Sequence, residues 1–174
     1  MAAAAADGAE NGGKMILVIS SDGERFELSE AAASLSKTLH HMIEDDCTAN
    51  GIPLANVSAN VLAKVVEYCN KHAVVSSEAT ETTAAAAAKA SREEELRRFD
   101  AKFVDVDYNL LFDLILAANF LNVPCLLDLA CQQLADSIKD MMPEQVRKLF
   151  AIENDFTPEE EAVIRRENAW TFEI

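Results

Sequence analysis

The sequence predicts an α+β protein in which a short β-rich segment precedes a chain that is mostly helical. Residues 15–28 place a β-branched run and an alternating polar and apolar run on either side of a glycine-containing turn. Beyond Ser29, apolar residues recur mostly at helical spacing, and capping residues or prolines precede several of these segments. The 174 residues suffice for one ordinary domain and a short extension.

Three strands are predicted near the start of the chain. Met15 to Ser20 gives the first, Ser21-Asp22-Gly23 gives the turn, and residues 25–28 give the second strand of a hairpin. Residues 52–54 predict a third, short strand, and Pro53 favours a sheet edge or a strand end because proline lacks the N–H of a ladder.

Serines mark the first helices. Ser29 is expected to cap a short helix over the alanines, and the next helix carries apolar residues around Leu39. Ser58 is expected to cap a longer helix. Its predicted buried stripe consists of Val61, Leu62, Val65, Val66 and Cys69.

The segment 107–121 is apolar over most of its helical circumference, which predicts a central helix. At 100° per residue, Phe120 projects close to the direction of Asp113, away from Leu114. A large ring on the polar side is a candidate anchor for a partner. It could equally fold back onto a neighbouring loop as core, and spacing alone leaves both hypotheses open.

The carboxyl-terminal third predicts three helices that start at Pro124, Pro143 and Pro158. The last has Thr157 as its N-cap and Glu160 in the capping-box position. The helix that starts at Pro158 has too few apolar residues to be stabilised by its own packing. We therefore expect it to dock against a partner helix, or else to pack back on its own domain. The first carries the stripe Leu127, Cys131, Leu134 and Ile138, and the second carries Val146, Leu149 and Phe150.

A net charge of -15 argues against binding to nucleic acid or to anionic membranes, and no stretch is apolar for long enough to span a bilayer. The four cysteines have no disulfide-framework pattern, which favours a reducing compartment. Cys69, Cys125 and Cys131 are predicted to be small buried hydrophobes. Residues 1–14 are expected to be a disordered tail, and the Ala-rich segment 73–98 a flexible insertion.

No catalytic residue, metal site or cofactor is predicted. Of the three histidines, His40 and His41 are adjacent and point differently on a helix. His72 is expected near the carbonyls at its helix end, and Cys69-x-x-His72 supplies only half of a zinc motif.

The motifs resemble those of Skp-type adaptors (S-phase kinase-associated proteins), and the ending resembles the plant branch of that family. The matching stretches are SSDGERFELS, LILAANFLNV, LLDLACQQLADSIK, NDFTPEEEAVIRRENAW and FEI. This resemblance implies a BTB/POZ-like domain at 15–138 followed by F-box-binding helices at 139–174, with the F-box-binding region beginning near residue 116.

The resemblance also implies a non-catalytic adaptor of an SCF (Skp-cullin-F-box) ubiquitin ligase, present in the nucleus and cytoplasm. The alternatives are an elongin-C-like adaptor, which lacks the C-terminal extension, and an acidic structural or chaperone-like protein. For the cullin contact the resemblance implies Asn119 and Phe120. For the F-box contact it implies Leu127, Cys131, Leu134, Ile138, Phe150, Ile152, Asn154, Val163, Arg165, Asn168 and Trp170.

The chain departs from the family pattern at three places. Phe120 stands where the family often has Tyr, so one hydroxyl is lost from the expected cullin contact. Asp140-Met141-Met142 replaces Gly-Lys-Thr, so the threonine cap of the next helix is missing. Phe99-Asp100 replaces Trp-Asp, and the smaller ring is expected to pack similarly.

Overall fold

The computed structural model describes residues 14–78 and 86–171. The chain divides into an N-terminal unit, Met1–Ala135, and a C-terminal unit, Asp136–Ile174. In chain order the elements are β1 (Met15–Ser20), β2 (Arg25–Ser29), α1 (Glu30–Ala33), α2 (Lys37–Glu44), β3 (Ile52–Leu54), α3 (Ala59–Glu78), α4 (Ala86–Phe103), α5 (Tyr108–Phe120), α6 (Pro124–Ile138), α7 (Pro143–Leu149), α8 (Pro158–Glu167) and a 3₁₀ turn (Ala169–Thr171).

The sheet has the strand order β2-β1-β3, with β1 antiparallel to β2 and parallel to β3. The predicted hairpin is confirmed, and Gly23 adopts a φ of 87° in its turn, where a side chain would be strained. The strand at 52–54 is also confirmed, and it forms a sheet edge, as Pro53 indicated. The BTB/POZ-like α+β fold expected from the sequence is therefore observed.

Helix caps tie the first helices to the sheet. The predicted cap at Ser29 is confirmed, because its hydroxyl accepts a hydrogen bond from the Ala32 amide at 3.2 Å. At the start of α3, the Ala59 amide donates to Asp22 Oδ1 in the hairpin turn at 2.9 Å. The predicted stripe of α3 lies in the core, with Val61, Leu62, Val65 and Cys69 buried and Val66 half-buried.

The flexible insertion predicted at 73–98 is corrected for most of its length. Helix α3 continues to Glu78 and α4 begins at Ala86, so helix covers residues 73–78 and 86–98. Alanine, glutamate and arginine favour helix strongly, and the end of α4 is anchored because Phe103 is buried. Residues 79–85 of the predicted insertion, and 1–13 of the predicted tail, lie outside the described residues.

His72 lies inside α3 and not at its end, because that helix continues beyond it. Its Nε2 lies 2.8 Å from Asp100 Oδ1 on α4, and its ring stacks on Tyr68 with centroids 4.0 Å apart. Phe99 also packs against the core, with its ring centroid 5.5 Å from that of Phe103. The prediction that His72 sits at helix-end carbonyls is therefore wrong.

Helix α6 buries a different face from the predicted stripe. Its buried residues are Leu126 and Ala130, one turn apart, whereas Leu127 is half-buried and Cys131 exposed. Cys125 is exposed as well, so the prediction of burial holds only for Cys69, whose thiol pKa burial raises to about 12. Within the predicted stripe, Leu127 and Leu134 pack partly against the core, and Cys131 lies at the surface.

Candidate partner-binding surfaces

The C-terminal end of α5 is closed by a Schellman motif. Asn122 adopts the left-handed conformation with a φ of 51°, which asparagine tolerates better than most residues. The Val123 amide donates to the Ala118 carbonyl at 2.8 Å, and the Asn122 amide donates to the Asn119 carbonyl at 3.1 Å. The last turn of α5, which carries Asn119 and Phe120, is therefore held in a defined geometry.

The start of α2 satisfies the remaining carbonyls at this helix end. The Lys37 amide donates to the Asn122 carbonyl at 3.0 Å, and the Ser36 hydroxyl donates to the Leu121 carbonyl at 2.5 Å. The Thr38 hydroxyl donates to the Phe120 carbonyl at 3.3 Å. The start of α2 and the end of α5 are far apart in sequence, and each satisfies backbone hydrogen-bonding groups of the other. These hydrogen bonds fix the position of Phe120.

Phe120 points outward, with 42% of its surface exposed, so it is not a core residue, and its role as an anchor stays a prediction. Asn119 is also exposed. Leu116 is exposed at 66%, and sequence reasoning missed it. Its spacing could have found it, because it lies three residues after Asp113 and four before Phe120, on the same helical face. We call Asp113, Leu116, Asn119 and Phe120 the α5 face.

A depression of about 280 Å³ borders this face. Asp113 and Leu116 form one side of it, and the segment Ala55–Ser58, which follows β3, forms the other. The side chain of Leu116 protrudes and can insert into a partner, and the depression beside it can accept a side chain of that partner. Such complementarity is the usual anatomy of an interface anchor.

The C-terminal unit carries apolar side chains but buries none of them. Every buried apolar residue of the described chain lies between Ile16 and Ala130. Trp170 has 74% of its surface exposed, and Ile152 has 55%. Of the predicted F-box contacts, Cys131, Ile152, Asn154, Val163, Arg165 and Trp170 are exposed, and Leu127, Leu134, Ile138, Phe150 and Asn168 are half-buried.

An apolar groove of about 430 Å³ runs along α8. It is lined by Phe156, Val163 and Ile164, with Glu159 and Glu160 at its margin. Sequence reasoning missed Phe156 and Ile164 as site residues. Phe156 occupies the position before the N-cap, where an apolar residue normally packs on the residue four places into the helix. The residue at that place is Glu161 here, so the Phe156 ring has no apolar partner there, and the Arg147 guanidinium lies 6.0 Å from its centroid instead.

Local interactions, not core packing, hold α7 and α8 in shape. The predicted capping box is confirmed: the Thr157 amide donates to Glu160 Oε2 at 2.9 Å, and the Glu160 amide donates to the Thr157 hydroxyl at 3.3 Å. The Thr157 amide and the Thr157 hydroxyl, which both donate to the Glu160 carboxylate, hold the pKa of Glu160 below its ordinary value.

Ion pairs join α7 to α8. Arg147 lies 3.2 Å from Glu161, and Arg165 pairs with Glu144 as well as with Glu161 at 3.7 Å. Glu161 and Arg165 are four residues apart on α8, which is the spacing of an ion pair along one helical face. Because Arg165 is engaged inside this unit, any contact that it makes with a partner must share or replace these pairs. Its assignment to an F-box contact stays a prediction.

Met142 stands at the N-cap of α7 and supplies no side-chain cap, as expected from the loss of threonine. The Met142 amide instead donates to Gln145 Oε1 at 2.8 Å, which retains half of a capping box. The departure at this position is therefore partly compensated. Met142 also has 43% of its surface exposed.

Across residues 14–78 and 86–171, no helix has the length and apolar character of a membrane span. Over the same ranges, no three histidine, cysteine or acidic side chains are grouped as metal ligands. The two surfaces described above are made of apolar anchors and hydrogen-bonding groups, which suits recognition of another protein.

The fold and these surfaces together define a BTB/POZ-like protein with a helical C-terminal extension whose apolar side chains are exposed. Residues 14–74 match the Skp1 family tetramerisation domain, and residues 124–171 match the Skp1 family dimerisation domain. The chain belongs to the Skp1 family.

Its relatives include plant proteins similar over most of their length. SKP1-like protein 1 of Oryza sativa subsp. japonica is 57% identical over 95% of this chain and 99% of its own. SKP1-like protein 20 of the same plant is 54% identical over 91% of this chain and 95% of its own. SKP1-like protein 11 of Arabidopsis thaliana is 53% identical over 92% of this chain and 98% of its own. These similarities support an adaptor role for the chain.

Proposed function

We propose that this protein is the adaptor subunit of an SCF-type E3 ubiquitin ligase, which joins a cullin to an F-box protein for substrate ubiquitination and proteasomal degradation. The observation that carries the proposal is the division of the chain into a unit with a buried core and a unit that buries no side chain. A segment with large exposed apolar residues such as Trp170 requires a partner to cover them. Membership in the Skp1 family supports the F-box protein as that partner.

The cullin is proposed to bind the α5 face. Asn119 and Phe120 are implied by the family resemblance, and Leu116 joins them because it is the most exposed apolar residue of α5. The hydrogen bonds that close the end of α5 support this role, since a preorganised anchor loses little conformational entropy on binding.

The F-box protein is proposed to bind α6, α7, α8 and the 3₁₀ turn. On α6, Leu127, Leu134 and Ile138 are half-buried next to the face that carries the buried Leu126 and Ala130, and Cys131 is exposed. The groove beside Val163 and Ile164 and the exposed Trp170 supply further apolar surface. Amphipathic helices that lay an apolar face into a groove are a common recognition mode.

The proposed mechanism is geometric, and the adaptor contributes no reacting group. The F-box protein selects the substrate, and the cullin carries the ubiquitin-transferring machinery. Holding both partners on one molecule raises the effective concentration of the substrate lysine at the activated ubiquitin.

The match of residues 124–171 to the dimerisation domain favours this function over an elongin-C-like adaptor, in which that extension is lacking.

We also propose that the protein resides in the nucleus and cytoplasm. The free state of all four cysteines is compatible with those reducing compartments. Imaging of a fluorescent fusion in plant cells would test this, and secretion of the fusion would contradict it.

Co-purification with one F-box protein and a cullin N-terminal domain tests the function. We expect a ternary complex. Phe120→Ala should weaken cullin binding roughly 5- to 30-fold, the range typical of an interface anchor, and spare the F-box protein. Trp170→Ala should do the reverse. Phe120→Tyr should strengthen cullin binding by roughly 2- to 12-fold, if the restored hydroxyl makes one hydrogen bond.

Met15→Ala is the matched control, because Met15 is an exposed apolar residue (55%) outside both proposed surfaces. It should change neither affinity. If Phe120→Ala and Trp170→Ala each weaken both partners to the same degree, two separate docking surfaces do not exist and the proposal fails.

A further inference from the structure

The N-terminal unit contains a second cavity, which is lined by none of the residues assigned above to the cullin or to the F-box protein. Its volume is about 320 Å³, at the lower end of the range for small-molecule sites. Three parts of the fold enclose it: the turn between α1 and α2 with Leu35 and Lys37, the α3 residues Tyr68 and His72, and the start of α6 with Val123 and Cys125. It includes no residue of the α5 face.

Tyr68 brings an unused hydrogen-bonding group to this cavity. Only 2% of its surface is exposed, and its ring is held between the rings of His72 and Phe103 at centroid distances of 4.0 Å and 5.5 Å. Its hydroxyl makes no hydrogen bond with any described residue. A hydroxyl that has no partner within the protein is available to donate a hydrogen bond to a ligand.

The hydroxyl borders the cavity. Among the described residues, no fully enclosed side-chain oxygen or nitrogen lacks a hydrogen-bond partner. The unpaired oxygen of Tyr68 must therefore meet open space, and the cavity is the open space that this residue lines. The hydroxyl stays protonated and able to donate, because burial, followed by the charge of Asp100, raises the pKa of Tyr68.

Lys37 supplies a positive charge at the same cavity. It is exposed, and its ammonium forms no ion pair with the described residues. Asp100, whose charge acts on Tyr68, is already engaged by His72 at 2.8 Å. The remaining lining, at Leu35, Val123 and the ring of Pro124, is mostly apolar. An apolar chamber with one free cation and one free hydroxyl complements a small organic anion.

We propose that this cavity is a binding site for a small monocarboxylic acid with an apolar body. The carboxylate pairs with the Lys37 ammonium and accepts a hydrogen bond from the Tyr68 hydroxyl. The apolar body lies against Leu35 and Val123. This site is independent of the proposed adaptor function, so either can fail while the other stands.

The test uses the full chain with phenylacetate as the probe. Phenylacetamide, its neutral isostere, and acetate, which lacks the apolar body, are the matched controls. Binding is measured by ligand-observed NMR and by protection of Cys125 from iodoacetamide, mapped by mass spectrometry. Cys131 is the internal control, because it is exposed on the same helix and does not line the cavity. We expect phenylacetate to bind at least about tenfold more tightly than either control and to protect Cys125 alone.

Two variants assign the roles of the polar groups. Lys37→Gln should abolish the preference for phenylacetate over phenylacetamide. Tyr68→Phe keeps the ring and removes the hydroxyl, so it should weaken phenylacetate binding by roughly 2- to 12-fold. Lys102→Gln, at an exposed lysine outside the cavity, should have no effect. Circular dichroism of each variant verifies that the fold is kept.

Three results would overturn the proposal. One is the absence of phenylacetate binding up to about 10 mM, beyond which an affinity is too weak to be specific. Another is equal affinity for phenylacetate and phenylacetamide in the unsubstituted protein. The third is equal protection of Cys125 and Cys131.

Discussion

The two units of this chain reach order by different physical routes. The N-terminal unit encloses a continuous apolar core, in which Ile16, Leu114 and Leu126 have no exposed surface at all. The C-terminal unit buries no described residue and relies on a capping box and on ion pairs between α7 and α8. The difference teaches that the first unit is specified by its own packing, whereas the second is shaped locally and completed by whatever covers it.

The largest expected effect compares two leucines on α5. Leu114 is fully buried and Leu116 is 66% exposed. Leu114→Ala should lower the free energy of unfolding by about 2 to 5 kcal/mol, because it removes buried methyl groups and leaves a cavity. Leu116→Ala should change it by less than about 0.5 kcal/mol. Urea denaturation measures both, and similar losses would contradict the assigned location of the core.

A comparison of two N-caps should give an intermediate effect. Ser36 is buried, and its hydroxyl donates to the Leu121 carbonyl while accepting from the Leu39 amide at 3.1 Å. Ser36→Ala removes the acceptor of the Leu39 amide and leaves the Leu121 carbonyl only the long bond from the Thr38 amide at 3.4 Å, so it should destabilise the N-terminal unit by about 2 kcal/mol. Thr157→Ala should cost about 1 kcal/mol, confined to α8.

Urea denaturation reports the first loss, and amide hydrogen exchange in α8 reports the second. If Thr157→Ala accelerated exchange throughout the N-terminal unit, the two units would not be energetically distinct.

A smaller effect is expected at the start of α7. Met142→Thr restores a side-chain cap, but Gln145 already accepts from the amide of residue 142, so the gain should be no more than about 1 kcal/mol.

We also expect the exchange of Asp140-Met141-Met142 for Gly-Lys-Thr to re-rank a panel of F-box proteins by affinity. An unchanged ranking would show that these three residues do not contribute to partner choice.

The smallest effect is a pH dependence confined to α8. The pKa of Glu160 lies below its ordinary value of 4.5, so the folded helix binds its proton less readily than the unfolded chain does. The stabilisation is therefore present above about pH 4.5 and is lost as the pH falls through the folded pKa. NMR titration of Glu160 together with hydrogen exchange in α8 measures it. Glu160→Gln keeps an acceptor without the charge and should remove the dependence.

Much of the candidate site could be predicted because it depends on interactions between residues that are close together in the sequence. Thr157 and Glu160 are three residues apart, and the outward direction of Phe120 follows from its angle to Asp113 on one helix. Leu116 was open to the same reasoning and was missed. The contacts that position Phe120 could not be predicted. They include the hydrogen bond between Ser36 and Leu121, which are 85 residues apart in the sequence.

By itself the sequence determined the α+β class, the hairpin, the third strand, the caps at Ser29 and Thr157, and the family. Each depends on interactions within a few residues or on a motif. Only the tertiary structure decided that α6 buries Leu126 instead of the stripe at Leu127, and that helix replaces most of the predicted insertion. The tertiary structure also decided that the Tyr68 hydroxyl lies beside a cavity without a hydrogen-bond partner. Periodicity fixes the angles between side chains on one helix, but the face that becomes buried depends on elements that meet it from elsewhere in the chain.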